Sequence, residues 1–124
     1  MSDPLGCRVL VVDDEPSIRR SLAALLGRRG YTVQVAEHGA AALSVINDSG
    51  TPDVALVDLT MPVMNGAEFL REVRARGYVF PSIIVSGAPE VALIAEQVGA
   101  SGWTAKPYVL DELVVRINHA LAST

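Results

Sequence analysis

Short, continuously apolar runs alternate with amphipathic stretches along the chain of 124 residues. Runs of this kind that are rich in β-branched residues are typical of strands buried on both faces of a sheet. They predict strands at residues 9–12, 54–57 and 82–85. The stretch 32–36 alternates more and predicts an edge strand, and 103–105 predicts a short fifth strand.

Between these runs, apolar side chains recur at helical spacing. The first predicted helix begins at Pro16, because proline suits the first helical turn, and ends at Gly30. Further helices are predicted after Gly39, over 67–76 and 90–98, and a last one ends at 122. Five strands alternating with five helices predict right-handed crossovers and a doubly wound, parallel (βα)5 sheet of the α/β class.

The composition limits the partners and the compartment. The length suits one domain, taken as 1–124. Charged residues make up 19% and the formal net charge is −4, so we expect no direct nucleic-acid or anionic-membrane partner, since both require clustered lysine and arginine. The single cysteine, Cys7, cannot form an internal disulfide and no apolar run is long enough to span a bilayer, so we expect a cytoplasmic protein.

Polar side chains follow four of the five predicted strands, at the point where each strand ends. Asp13 and Asp14 follow the first strand, Asp58 the third, Ser86 the fourth and Lys106 the fifth. Ligands of parallel sheets bind at the carboxyl ends of the strands, which lie on one edge. We therefore expect these five side chains to share one pocket.

The predicted pocket combines acidic groups with one ammonium and one hydroxyl. Carboxylates this close repel one another and raise a pKa unless a cation lies between them, and hard oxygen ligands suit Mg²⁺. Lys106 and Ser86 are suited to binding the oxygens of a phosphoryl group. The chain has neither a Walker lysine loop nor a GxGxxG motif, so a nucleotide site is not expected.

Four motifs lie in order on the expected elements: VVDDEP, VDLTMPVMNG, IVSG and GWTAKPY. With them the chain resembles the receiver domain of two-component response regulators (the CheY-like superfamily), from about 8 to 121. The resemblance implies a flavodoxin-like sheet with strand order 2-1-3-4-5. It also implies a sensor histidine kinase or phosphotransfer protein as phosphodonor, and an output protein or domain downstream.

The resemblance also implies the metal site and the phosphoacceptor. Asp58 stands where the family carries its phosphoacceptor. Asp14 and Asp58 would coordinate Mg²⁺ together with the backbone carbonyl of Thr60, and Asp13 would act mainly through a metal-bound water. Attack of Asp58 on a phosphohistidine would make an acyl phosphate, and hydrolysis would reset the switch.

On the same resemblance, Lys106 and Ser86 bind phosphoryl oxygens, and the Lys106–Pro107 peptide bond is cis. Thr60 and Ala88 flank the path of the hydrolytic water, and because both are small we expect no unusual shielding of the phosphoryl group. The domain is expected to catalyse only its own phosphorylation and dephosphorylation.

Two departures from the family pattern concern the signalling face. Trp103 stands where the family usually carries a smaller aromatic residue that turns inward as Ser86 moves, and the alternative is an aromatic residue packed on the last strand. The segment 86–99 is about two residues shorter than in the family, which predicts that the fourth helix, or the loop before it, is trimmed. We expect a monomer, or a weak dimer through the fourth helix, fifth strand and fifth helix.

The sequence also allows simpler structural roles for some of these residues, and two other functions can be compared with it. Asp14 or Glu15 can simply cap the first helix. A receiver-like docking module that works without phosphorylation usually lacks one of the key positions, and none is lost here. A flavin binder on the same fold needs a Ser/Thr-rich phosphate loop after the first strand, where this chain is acidic. His38 and His119 are interpreted as surface or helix histidines.

Overall fold

The computed structural model describes residues 6–122, so the predicted domain of 1–124 extends at both ends beyond the described residues. Strands and helices alternate throughout this part of the chain. They are β1 (Arg8–Val12), α1 (Pro16–Arg28), β2 (Thr32–Ala36), α2 (Gly39–Ser49), β3 (Val54–Asp58), α3 (Gly66–Ala75), β4 (Ser82–Ser86), α4 (Val91–Gln97), β5 (Gly102–Ala105) and α5 (Leu110–Ala122).

The five strands form one parallel sheet in the order β2-β1-β3-β4-β5, which confirms the predicted fold class and strand order. The central strands are the apolar runs of the sequence, and every residue of β3 and β4 is buried. β2 and β5 are the two edges, and both are partly exposed. Each strand therefore delivers its last residue to the same edge of the sheet.

Alternate residues of each central strand pack against opposite helical layers, as the two-residue period of a strand requires. On β1, Leu10 and Val12 contribute to the core beneath α2, α3 and α4, whereas Val9 and Val11 contribute to the core beneath α1 and α5. All four side chains are at most 1% exposed. Such close packing fixes the strand ends in position.

The helix starts show which polar residues act as caps. Pro16 is the first residue of α1, but the Glu15 cap makes no side-chain hydrogen bond, so the capping role suggested for Asp14 or Glu15 is wrong for Glu15. α3 begins with a reciprocal capping box between Asn65 and Glu68. His38 caps α2 by accepting a hydrogen bond from the Ala41 amide on Nδ1 at 3.0 Å, which makes it a helix histidine.

Some predicted bounds differ from the structure by a residue or two. α3 and β5 each begin one residue earlier than predicted, and α4 is confined to Val91–Gln97, the shortest of the described helices. Short helices carry weak periodicity, so their ends are poorly determined by pattern alone. None of the described helices is both long enough and apolar enough to cross a membrane.

Candidate functional site

The carboxyl ends of the strands bring the predicted polar residues to one edge. Asp58 and Ser86 are the last residues of β3 and β4, and they are 6% and 2% exposed. Asp13 follows β1 directly and is 3% exposed, and Lys106 follows β5. Asp14 is exposed at the rim. Two aspartates at this edge are therefore buried, and a third is exposed.

Lys106 lies between the two buried carboxylates. Its Nζ is 2.9 Å from Asp13 Oδ2 and 3.4 Å from Asp58 Oδ2. A third carboxylate, Glu15 Oε1, lies 3.8 Å away. The sequence pattern placed Asp13, Asp58 and Lys106 together correctly, but it did not indicate the Glu15 contact, which depends on how two long side chains turn.

Asp13 is held in place through its backbone and its side chain. Its amide donates to the Ala36 carbonyl at 3.1 Å, so hydrogen bonding to β2 continues for one residue past the end of β1. Its Oδ1 accepts from the Glu15 amide at 2.9 Å, and its carbonyl oxygen accepts from Arg19 Nη1 at 2.7 Å. The carboxylate that satisfies an amide at the start of α1 is therefore that of Asp13.

The surroundings of Asp58 oppose its ionisation. Burial raises its pKa most strongly, the Lys106 ammonium lowers it, the Asp13 carboxylate raises it, and the Thr60 N–H lowers it, so the pKa of Asp58 comes to about 6. Burial by itself lowers the pKa of Lys106, but its contacts with Asp13, Asp58 and Glu15 outweigh burial and raise that pKa. Lys106 is therefore a permanent cation at neutral pH.

The acidic residues form an oxygen-only group that suits a hard divalent cation. Asp13, Asp14 and Asp58 each offer a carboxylate oxygen, and these atoms lie within 4.8 Å of one another. Oxygen donors of this type are those that Mg²⁺ prefers. The donor set therefore fits the predicted ion. Thr60 donates its amide to Asp58 Oδ1 at 3.3 Å, and its carbonyl as a ligand stays a prediction.

The loop after Asp58 is folded tightly against the sheet. The Gly66 amide donates to the Leu59 carbonyl at 3.1 Å, and the Gly39 amide of α2 donates to the Met64 carbonyl at 3.0 Å. Between them Val63 adopts φ 65°, a left-handed conformation that is unusual for a β-branched residue. Motif reading did not indicate this strained residue, because the favoured residues at such a position are Gly and Asn.

The two predicted switch residues occupy different environments. The Ser86 hydroxyl accepts a hydrogen bond from the Ala88 amide at 3.1 Å, at the buried end of β4. Trp103 lies on the edge strand β5 and is 37% exposed. The Lys106–Pro107 peptide bond is cis, which confirms the expectation.

Comparison with known proteins gives a consistent family. The model of the response regulator receiver domain matches residues 9–118. Response regulator MprA of Mycobacterium ulcerans is 34% identical over 122 residues, which are 97% of this chain and 52% of that protein. The chain therefore spans about half the length of the curated relatives it matches.

Solved structures agree in fold along nearly the whole chain. The receiver domain of the Francisella response regulator 1452 aligns with a TM-score of 0.86 and 29% identity, over 95% of this chain and 98% of that one. The chemotaxis protein CheY4 of Vibrio cholerae aligns with a TM-score of 0.85 and 34% identity, over 93% of this chain and 98% of that one.

Proposed function

Because the chain belongs to the response regulator receiver domain family, we propose that Asp58 accepts a phosphoryl group from a phosphohistidine and that the domain then signals to an output partner. The observation that carries the proposal is the Lys106 ammonium, 2.9 Å from Asp13 and 3.4 Å from Asp58 at the carboxyl edge of the sheet. A buried nucleophile beside a fixed cation is suited to a reaction in which negative charge spreads over phosphoryl oxygens.

Phosphoryl transfer forms one bond and breaks one. A carboxylate oxygen of Asp58 attacks phosphorus in line, and the histidine nitrogen leaves with the electron pair of the P–N bond. The product is an acyl phosphate on Asp58. With a pKa of about 6 in the absence of metal, the carboxylate is mostly ionised, and so nucleophilic, at neutral pH.

Lys106 and Ser86 act on the oxygens of the transferred group. Lys106 already contacts Asp58 Oδ2, so its ammonium is placed to bind an oxygen of a phosphoryl group on that carboxylate. The Ser86 hydroxyl lies at the end of the neighbouring strand, since Asp58 pairs with Val85 in the sheet register. We propose that it donates a hydrogen bond to a second oxygen.

The residues that would hold Mg²⁺ are Asp13, Asp14 and Asp58, with the Thr60 carbonyl. When bound, the ion would neutralise charge on the phosphoryl oxygens and on the acidic cluster. The carboxylates of Asp13 and Asp14 would serve to hold the positive charge of the ion next to Asp58. Asp13 is already engaged by Lys106, which fits its proposed contact through a water.

Hydrolysis of the acyl phosphate resets the domain. Thr60 is exposed and Ala88 partly so, and both are modest in size, which supports access of water to the phosphoryl group. The domain acts on itself: one residue receives the group and loses it again. We place the single domain, on residues 1–124, in the cytoplasm.

The proposed partners are a sensor histidine kinase or phosphotransfer protein and an output protein or domain. The face formed by α4, β5 and α5 carries exposed apolar side chains at Leu93, Trp103 and Val115. We propose this face for output contacts, with the free domain a monomer or a weak dimer through it. Trp103 is proposed to turn inward as Ser86 moves toward the phosphoryl group.

One experiment separates this function from docking without phosphorylation. Mg²⁺ and then acetyl phosphate are added while Trp103 fluorescence and intact mass are followed. We expect a fluorescence change and a mass increase of one phosphoryl group, abolished by EDTA. The control is Asp53→Asn, which removes an exposed aspartate ahead of β3 and should leave labelling intact. No mass increase and no fluorescence response in folded protein would favour the docking module.

A further inference from the structure

The Arg19 side chain reaches back from α1 to the loop that carries the acidic pair. Its Nη1 donates a hydrogen bond of 2.7 Å to the backbone carbonyl oxygen of Asp13. Its own amide donates to the Glu15 carbonyl at 3.1 Å. The second bond is the ordinary backbone bond at the start of α1, so the side-chain bond is the one that ties the Asp13 carbonyl to this helix.

The carbonyl that Arg19 binds belongs to the peptide unit between Asp13 and Asp14. A peptide unit is planar, so a bond that fixes its carbonyl oxygen also fixes the positions of the Asp14 nitrogen and Cα. Asp13 is also held through its amide and its carboxylate. Asp14 is exposed at the rim of the site, and the peptide before it sets the Cα position from which its carboxylate reaches the cluster.

Building on the proposed function, we propose that Arg19 is a positioning residue that orients Asp14 for Mg²⁺ binding. A guanidinium has no lone pair for a metal, so Arg19 cannot itself be a ligand. Groups that orient metal ligands typically change metal affinity by about 10–100-fold when they are removed. The Arg19 bond is such a contact, one peptide away from a metal-binding carboxylate.

The positive charge of Arg19 disfavours Mg²⁺ binding, whereas its hydrogen bond to Asp13 is proposed to favour it. A cation near an acidic site repels a divalent ion, so a variant that changed only this charge would bind Mg²⁺ more tightly. Loss of orientation lowers the affinity. The sign of the change therefore separates a positioning role from a purely electrostatic one.

The test is isothermal titration calorimetry with Mg²⁺ on the full chain, for wild type, Arg19→Met and Arg20→Met. Methionine keeps an apolar stem while each substitution removes one positive charge, and Arg20 is exposed on the same helix. We expect Arg19→Met to bind Mg²⁺ about tenfold more weakly and Arg20→Met to bind it as tightly as wild type or slightly more tightly. Unchanged or tighter binding by Arg19→Met, or an equal loss in both variants, would overturn the proposal.

Two controls keep the result interpretable. Thermal unfolding in EDTA establishes whether Arg19→Met is folded; if it is not, Arg19→Leu, which favours helix and has no side-chain donor, is titrated and judged by the same sign. A wild-type protein that binds no Mg²⁺ contradicts the proposed function itself. A wild type that binds, with no loss in the Arg19 variant, contradicts the positioning role and leaves the proposed function standing.

Discussion

Asp58 is a buried carboxylate whose negative charge is opposed by its surroundings. Its side chain is 6% exposed and faces the Asp13 carboxylate as well as the Lys106 ammonium. A metal-free receiver with this site therefore carries a destabilising charge at neutral pH. Such destabilisation is expected at functional sites, where a group is placed for its reaction instead of for stability.

This destabilisation predicts a pH dependence in metal-free protein. The folded pKa of Asp58, about 6, lies above its ordinary value of 3.8, so the folded state binds this proton more tightly. The free-energy cost of ionising Asp58 in the folded protein is absent below the pKa of the unfolded state. It grows as pH rises and is complete above the pKa of the folded state. Asp58→Asn should therefore be more stable than wild type by about 1–3 kcal/mol above about pH 7, and by little near about pH 4.

Urea unfolding of both proteins in EDTA over this pH range measures the difference. Addition of Mg²⁺ should stabilise wild type more than Asp58→Asn, because the proposed metal site includes the carboxylate that the variant lacks. A stability difference that does not vary with pH would show that the ionised Asp58 is well accommodated in the metal-free fold.

Gly66 lies where the loop after Asp58 meets the start of α3. A Cβ at this position would overlap the Asp58 backbone oxygen and lie 3.1 Å from Leu59 Cα. Because both neighbours are backbone atoms, they cannot move aside cheaply. Gly66→Ala should therefore destabilise the domain by about 3 kcal/mol.

Gly27→Ala is the matched control, since a Cβ there meets nothing within 4 Å. It should be neutral or stabilising by up to about 1 kcal/mol, because alanine loses less entropy in a helix. Chemical denaturation of both variants measures this. Equal effects of the two substitutions would show that the backbone near Asp58 is not closely packed at Gly66.

At the scale of elements, α4 is the helix with the weakest local support in the described structure. It has seven residues and no side-chain N-cap hydrogen bond. Its C-terminal end is bound from a neighbouring helix, because Arg74 of α3 donates to the Gly99 carbonyl at 3.1 Å. A cation at this end also favours the helix dipole. α4 therefore depends on contacts from neighbouring elements, of which the Arg74 bond is one.

Hydrogen exchange should find the α4 amides less protected than those of α1 or α5. Arg74→Met should increase α4 exchange by several-fold, which corresponds to a loss of about 1 kcal/mol. Arg71→Met, an exposed substitution on the same helix, should leave it unchanged. The interpretation fails if α4 is as protected as α5, or if both variants have the same effect.

Sequence patterns predicted the positions of most strands and helices. Continuous apolar runs such as 54–57 mark central strands because both faces are buried. Asp58 and Lys106 could be placed at one edge because parallel strands share their direction. The bounds of α4 were predicted to within one residue at each end, and no closer, since one or two turns carry little periodicity. The strand order followed from family motifs and not from hydrophobic spacing.

Contacts of long side chains were beyond sequence reasoning. Arg19 lies on an amphipathic helix, and its spacing is the same whether it points to solvent or back to the Asp13 carbonyl. Glu15, which precedes α1, similarly extends its side chain toward Lys106, which follows β5. Such contacts depend on rotamers and on the distance between packed elements, which a residue pattern does not contain.

At the scale of the whole molecule, the layered packing connects the acidic edge to the α4–β5–α5 face. Ser86 ends β4 and accepts the Ala88 amide in the connection that leads to α4, and its carbonyl accepts the Lys106 amide at 2.9 Å. The Ser86 hydroxyl and the Lys106 ammonium, which we propose bind the phosphoryl group, are thus joined through backbone to the elements that carry Trp103.

The proposed function depends on Asp58 as the residue that receives the phosphoryl group. The most direct measurement is treatment with acetyl phosphate and Mg²⁺, reduction with borohydride, which converts an aspartyl phosphate to homoserine, and mass spectrometric mapping of the modified residue. We predict conversion at Asp58 and at no other aspartate, and none in Asp58→Asn. Homoserine at Asp13 or Asp14, or labelling that persists in the variant, would contradict the assignment.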